Sequence, residues 1–213
     1  MEEKKLTEKE SLELISAMIA RTKERYMLGD GNIMLLWGYL TVVVSVAIWI
    51  LLAVTHNPVW NWLWFLIWII GGIVTPVMAR RKQQKFGVRT YSDKLSSRIW
   101  SAVGYSAIAS TFFCLGFMLF KGIDAWPMMF AFALVIVPFA EIVQGVVLDE
   151  KALMTGGALG LLAGIFILCC IAGRVPLCVT WFMPVFIAAF ACMMIIPGHI
   201  LNHKASRQNN ERA

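Results

Sequence analysis

Charge is scarce in this chain, and inside its long apolar stretches acid is almost missing. Only 15% of the residues are charged against 59% apolar, which lies outside the range of ordinary soluble domains. No apolar stretch alternates with period two over ten-residue segments, which excludes the strand pattern of a membrane barrel. No short basic start leads into an apolar core with a small-residue cut site, so no cleavable signal peptide is expected. The HExxH and P-loop spacings and an ordered Ser-His-Asp set are absent; each would place a nucleophile, a metal or a phosphate cradle. An enzyme is therefore not expected, nor a cofactor.

Cysteine offers no framework either. The five, Cys114, Cys169, Cys170, Cys178 and Cys192, are odd in number and have no metal-ligand spacing. They read as small buried hydrophobes, with Cys170 and Cys178 placed to approach each other across the turn Gly173–Pro176. His199 and His203 stand one helical turn apart, but two ligands are too few to hold a metal, and they read as interfacial histidines.

What is present is six apolar runs: Ile33–Val54, Val59–Met78, Ile99–Phe120, Trp126–Val147, Ala152–Ala172 and Leu177–Ile200. Each can cross a hydrocarbon core of about 30 Å, which takes ~20 helical residues. Helices are the only spanning form in which such runs satisfy their own backbone hydrogen bonds. The fold class is therefore all-α and polytopic: six transmembrane helices arranged as three hairpins, preceded by an amphipathic helix. Residues 1–32 form that helix and its linker, 33–200 the bundle and 201–213 a polar tail.

The net charge of +6 is distributed unevenly. Of the Lys and Arg residues only Lys121 and Arg174 fall on one side of the spans; the rest lie in the N-terminal segment, between Arg80 and Arg98, at Lys151 and beyond His203. The positive-inside rule puts both termini on the cytoplasmic side. A basic rim of this kind meets anionic headgroups rather than nucleic acid. Tryptophans suit two interfacial belts, Trp49, Trp60, Trp62, Trp64, Trp126 and Trp181 on the outer rim and Trp37 and Trp100 on the inner.

Near the start, Thr7-Glu8-Lys9-Glu10 is a capping-box pattern that opens a helix. Leu12, Leu14, Ile15, Met18 and Ile19 then share one face, opposite Glu10, Glu13, Arg21, Lys23 and Glu24. An apolar stripe needs a cover, and a polar face of mixed sign suits protein better than a lipid surface. Leu12, Ile15, Met18 and Ile19 are thus a candidate partner-binding face for a cytoplasmic or membrane protein. Gly29-Asp30-Gly31-Asn32 is expected to break the helix before the first span, and Thr90-Tyr91-Ser92-Asp93 to cap the third.

Two packing signals and one polar site lie within the spans. Gly156, Gly160 and Gly164 form a tandem GxxxG, and Ala102, Ser106 and Ser110 repeat the four-residue step. Small residues at this spacing let helices approach closely inside the bundle, or between two copies, since a homodimer is compatible with the pattern. Glu141 is the one acid deep in a span, with Gln144 a turn away on the same side and Pro138 just before it. A carboxylate there costs about 2.5–3.5 kcal/mol on insertion scales, so it must face the bundle, paired or protonated. This is the candidate intramembrane polar site.

Three stretches carry a resemblance: Glu10–Ile15 leading through Lys23 to Leu35-Leu36-Trp37-Gly38, the Thr90–Asp93 loop, and Ile196-Pro197-Gly198-His199. Together they resemble a bacterial family of small six-span integral membrane proteins without assigned activity. The resemblance implies the topology and carries over no catalytic residue. The expected role is non-enzymatic: accessory, sensing or scaffolding, through the cytoplasmic face. The alternative is a small transporter or channel lined by Glu141 and Gln144.

Overall fold

The computed structural model describes residues 7, 9–16, 30–86 and 91–210, and among them there is helix and no strand. After the short helix at residues 9–16 come α1 (Asp30–Thr55), a 3-10 segment (Pro58–Leu63), α2 (Trp64–Phe86) and α3 (Tyr91–Lys121). Then follow α4 (Pro127–Leu148), α5 (Lys151–Ala172), α6 (Val179–Phe190), a π segment (Ala191–Ile195) and α7 (Ile196–Asn210). Six helical stretches are long and apolar enough to cross a membrane, the last running unbroken from Val179 to Arg207. The protein is an all-α, multi-pass membrane protein.

The first apolar run extends further than its composition implies. Gly31 and Asn32 are inside α1, not in a break before it. The glycine is a contact: a Cβ there would stand 2.8 Å from the Gly198 carbonyl of α7. Beside it, Asn202 Nδ2 donates to Asn32 Oδ1 at 2.7 Å. The chain begins its first crossing by clasping its last. Any cap at Thr90 lies outside the described residues, and α3 begins at Tyr91.

The helices pack around α1, α5 and the sixth span. α1 sits against α6, the π segment and α7; these lie against α5, which pairs with α4 in the most extensive contact of the bundle. α2 packs on α1 and also reaches α4 and α6 through Trp64, while α3 flanks α4. The described turns each close with a residue in the left-handed region: His56, Gly122, Asp149 and Arg174 have φ between 52° and 64°. Such a residue ends a helix and reverses the chain.

α5 holds the centre because two prolines and its glycines fit each other. Pro138 has no N–H to give the Leu134 carbonyl one turn earlier, and Pro197 likewise leaves the Met193 carbonyl without its α-helical donor. The chain before Pro197 widens into the π segment, where the Ile196 N–H reaches back to the Ala191 carbonyl. The freed Leu134 carbonyl group lies against Gly164, its carbon 2.6 Å from where a Cβ would be. A Cβ on Gly156 would stand 3.2 Å from the Met193 oxygen, and one on Gly160 3.0 Å from Pro138 Cβ and 2.6 Å from Met193 Sδ. Backbone this close permits Cα–H···O contacts to carbonyls that lost their usual donors.

Candidate functional site

α4 carries a face on which Phe130, Leu134, Glu141 and Gln144 follow one another at helical spacing. Near the Pro127 end it meets aromatic rings. Phe130 makes edge contacts with Trp64, Phe182 and Phe186, whose centroids are 5.4, 4.6 and 5.7 Å away. Leu134, in the next turn, is fully buried. About 21 Å of helix rise beyond Pro127 the face turns polar, at Glu141.

Glu141 has no exposed surface, and neither carboxyl oxygen has a hydrogen-bond partner among the described residues. No ion pair reaches it there. The ion pair formed nearby joins Lys204 and Glu150, at 2.7 Å, the acid buried and the lysine half-exposed. Lys151, the cation nearest to Glu141 in sequence, is exposed at the first turn of α5. A charged carboxylate with no counter-charge in a buried site is costly.

Gln144 is buried, and its Oε1 accepts a 2.6 Å hydrogen bond from the indole N–H of Trp100 on α3. Trp100 reads from the sequence as an inner-rim belt residue, yet its polar edge points into the bundle. Trp37 does the same on the other flank, donating to Thr75 Oγ1 at 3.0 Å and filling the notch at Gly71. One turn from Trp100 on α3, Ser96 is also buried, and its hydroxyl has no partner among the described residues. Neither Trp100 nor Ser96 announces a site by type. The only sequence signal is that 96, 100, 103 and 107 share one α3 face, on which Ala107 is fully buried.

The other candidates are placed as follows. Gly156, Gly160 and Gly164 are buried inside the bundle, whereas Ala102 and Ser106 face outward from α3. Leu12, Leu14 and Ile15 are exposed on the helix at residues 9–16; Met18 and Ile19 lie outside the described residues. The capping box that starts this helix is formed. The Thr7 N–H and hydroxyl each donate to Glu10 Oε2 at 2.8 Å, and the Glu10 N–H donates to Thr7 Oγ1 at 3.3 Å. Those bonds, the backbone one foremost, hold the Glu10 carboxyl below its ordinary value.

All five cysteines are free, and only Cys114 and Cys170 are buried; Cys169 and Cys178 are exposed and Cys192 is partly covered. The burial expected of the set thus fails at three positions: Cys169 is on an exposed face of α5, Cys178 lies in the turn before α6, and Cys192 is only partly covered in the π segment. His199 Nε2 lies 2.7 Å from the Tyr39 hydroxyl. No group of three metal-ligating side chains occurs among the described residues.

The outer-rim tryptophans do not share one helix face. Pro58–Leu63 is 3-10 rather than α, so Trp60 and Trp64 do not continue one α-helical face. Trp60 instead donates to Thr55 Oγ1 at 2.8 Å. Trp64 joins the aromatic cluster, and Trp68 packs edge-on against Trp37. Comparison with protein-family models, curated proteins and solved structures finds no match to this chain.

Proposed function

We propose that this chain is a non-enzymatic protein of the bacterial cytoplasmic membrane, with both termini cytoplasmic. Its role is accessory, sensing or scaffolding, exerted through the N-terminal helix and the basic face of the bundle. The observation that carries it is the capped helix at residues 9–16 with Leu12 and Ile15 open, 67% and 53% exposed. A capping box fixes the start of that helix independently of the bundle, and an apolar face held in helical form gains stability by meeting a complementary surface. The mixed signs of its polar face favour a protein over an anionic membrane surface. The charge bias across the spans supports the orientation. The test replaces Ile15 and Ile19 with Glu. Partner capture is expected to vanish while the bundle melts as wild type; undiminished capture would refute the proposal.

Transport is the second reading, and the unpartnered oxygens of Glu141 are what favour it. Binding sites of transporters gather polar groups and interrupted helices near the midplane, and Pro138 and the π segment supply interruptions. On this reading Glu141→Gln abolishes flux at unchanged expression, and unchanged flux removes Glu141 from the mechanism.

A further inference from the structure

The buried polar groups at the α3–α4 seam form a one-ended series. Glu141 is the deepest, with both oxygens unpartnered. Gln144 follows one turn nearer the basic end of α4, bonded to Trp100 across the seam. Ser96 follows one turn further along α3, buried and without a partner among the described residues, and Lys94, two residues before it, is exposed at the basic end. In the other direction the same face of α4 offers Leu134 and the cluster of Phe130, Trp64, Phe182 and Phe186. The polar series therefore leads from the basic end to the carboxyl and stops there.

We propose that Glu141 is a reversible proton-binding site in exchange with the basic end of the bundle through water positioned by Gln144, Trp100 and Ser96; the indole N–H only donates, so Trp100 orients this path and does not itself carry the proton. The proton enters from the aqueous phase and adds to the carboxylate; nothing else is bonded or released. Groups on the neighbouring elements leave this equilibrium to Glu141 itself. On α3, Lys94, Arg98 and Tyr105 are exposed, and the Cys114 thiol donates to the Ala125 carbonyl near the opposite end. Beside α4, Asp149 and Lys151 are exposed, and Glu150 is neutralised by Lys204. On the sixth span Cys192 is partly covered and His199 is engaged with Tyr39; the parts of α2 and α6 that meet α4 contribute aromatic rings. Buried hydroxyl and carboxyl groups without protein partners are ordinarily served by water, which supplies the links between successive members.

A proton on Glu141 adds a donor where two acceptors stood, beside a Gln144 already held by Trp100. Its release puts an uncompensated charge next to Pro138, which packs on Gly160 together with Met193 of the π segment. The site thus sits where a change of charge bears directly on the α4–α5–π contact. The inference stands independently of partner binding by the N-terminal helix.

The test is infrared spectroscopy of the full-length protein in lipid vesicles, following the carbonyl stretch of a protonated carboxyl. A band present in wild type and missing in Glu141→Gln is expected, shifting promptly on transfer to D2O. Carbon-13 glutamate in wild type assigns the band to a glutamate, and its persistence in Glu150→Gln separates Glu141 from the other buried glutamate even if Glu141→Gln folds poorly. Ser96→Val and Gln144→Leu are expected to slow the shift by about tenfold or more, since each removes a polar step from a buried path. A band that never shifts in D2O would show a sealed structural acid. Wild-type exchange in both track variants, or no neutral carboxyl assignable to position 141, would equally overturn the proposal.

Discussion

Adding one methyl group at Gly164 is the sharpest perturbation of the bundle. A Cβ built there stands 2.6 Å from the Leu134 carbonyl carbon and 2.9 Å from Val135 Cγ2. The first obstacle is backbone and cannot rotate aside, so α4 and α5 must separate. Overpacking a well-packed site costs about 1–3 kcal/mol, and a backbone obstacle belongs at the upper end, about 3 kcal/mol. Replacing a helical glycine by alanine returns roughly 0.5–1 kcal/mol. Gly164→Ala is therefore expected to lose about 2 kcal/mol net. Gly104 is the internal control: it is helical, and nothing lies within 4 Å of its Cβ position. Gly104→Ala should be neutral or gain up to about 1 kcal/mol. At roughly 2–4 °C per kcal/mol for a chain of this size, the variants should melt about 4–12 °C apart. The assay is the monodisperse fraction remaining after heating in one detergent, by size-exclusion chromatography. Equal melting would refute the close α4–α5 approach.

Two further outcomes follow from polar contacts. Lys204→Ala strips the counter-charge from Glu150, which is 2% exposed; with the lysine end partly solvated, the expected loss is about 1–2 kcal/mol. Glu150→Gln should cost less because it leaves no buried charge, and in the double variant it should restore part of the loss; a Lys204→Ala melt at or above that of Glu150→Gln would refute the pairing. At the N-terminus, the Glu10 carboxyl is held below the ordinary 4.5 by its bonds from Thr7. A depressed carboxyl stabilises the cap above pH 4.5, and that contribution disappears as pH falls through the lower folded value. The Thr7 amide resonance should accordingly move on acidification, and a constant shift through the acid range would contradict the cap.

Long-range order was readable in this chain and fine structure was not, for physical reasons that differ by site. Six apolar runs yield six helices because lipid leaves the backbone no other partner, and Thr7 with Glu10 caps its helix because the contact is local. The depth of Glu141 and its side shared with Gln144 follow from counting turns. What counting cannot supply is the neighbour. Trp100 bonds Gln144 across 44 residues of sequence, and Glu150 pairs with Lys204 across 54; no local pattern selects either partner. Gly31 looks like a helix breaker because glycine does so in water, whereas here it lets α1 touch α7. The π segment was latent in Pro197, which requires a carbonyl to go without its usual donor but does not say how the helix will respond.

The most direct measurement is cross-linked affinity capture of the full-length protein from native membranes, through a C-terminal tag, beside a variant lacking residues 1–28. The expected result is one stoichiometric protein partner, recovered with the full chain and lost with the shortened one. Recovery of the protein alone, or a partner retained without residues 1–28, would contradict a role exerted through the N-terminal helix.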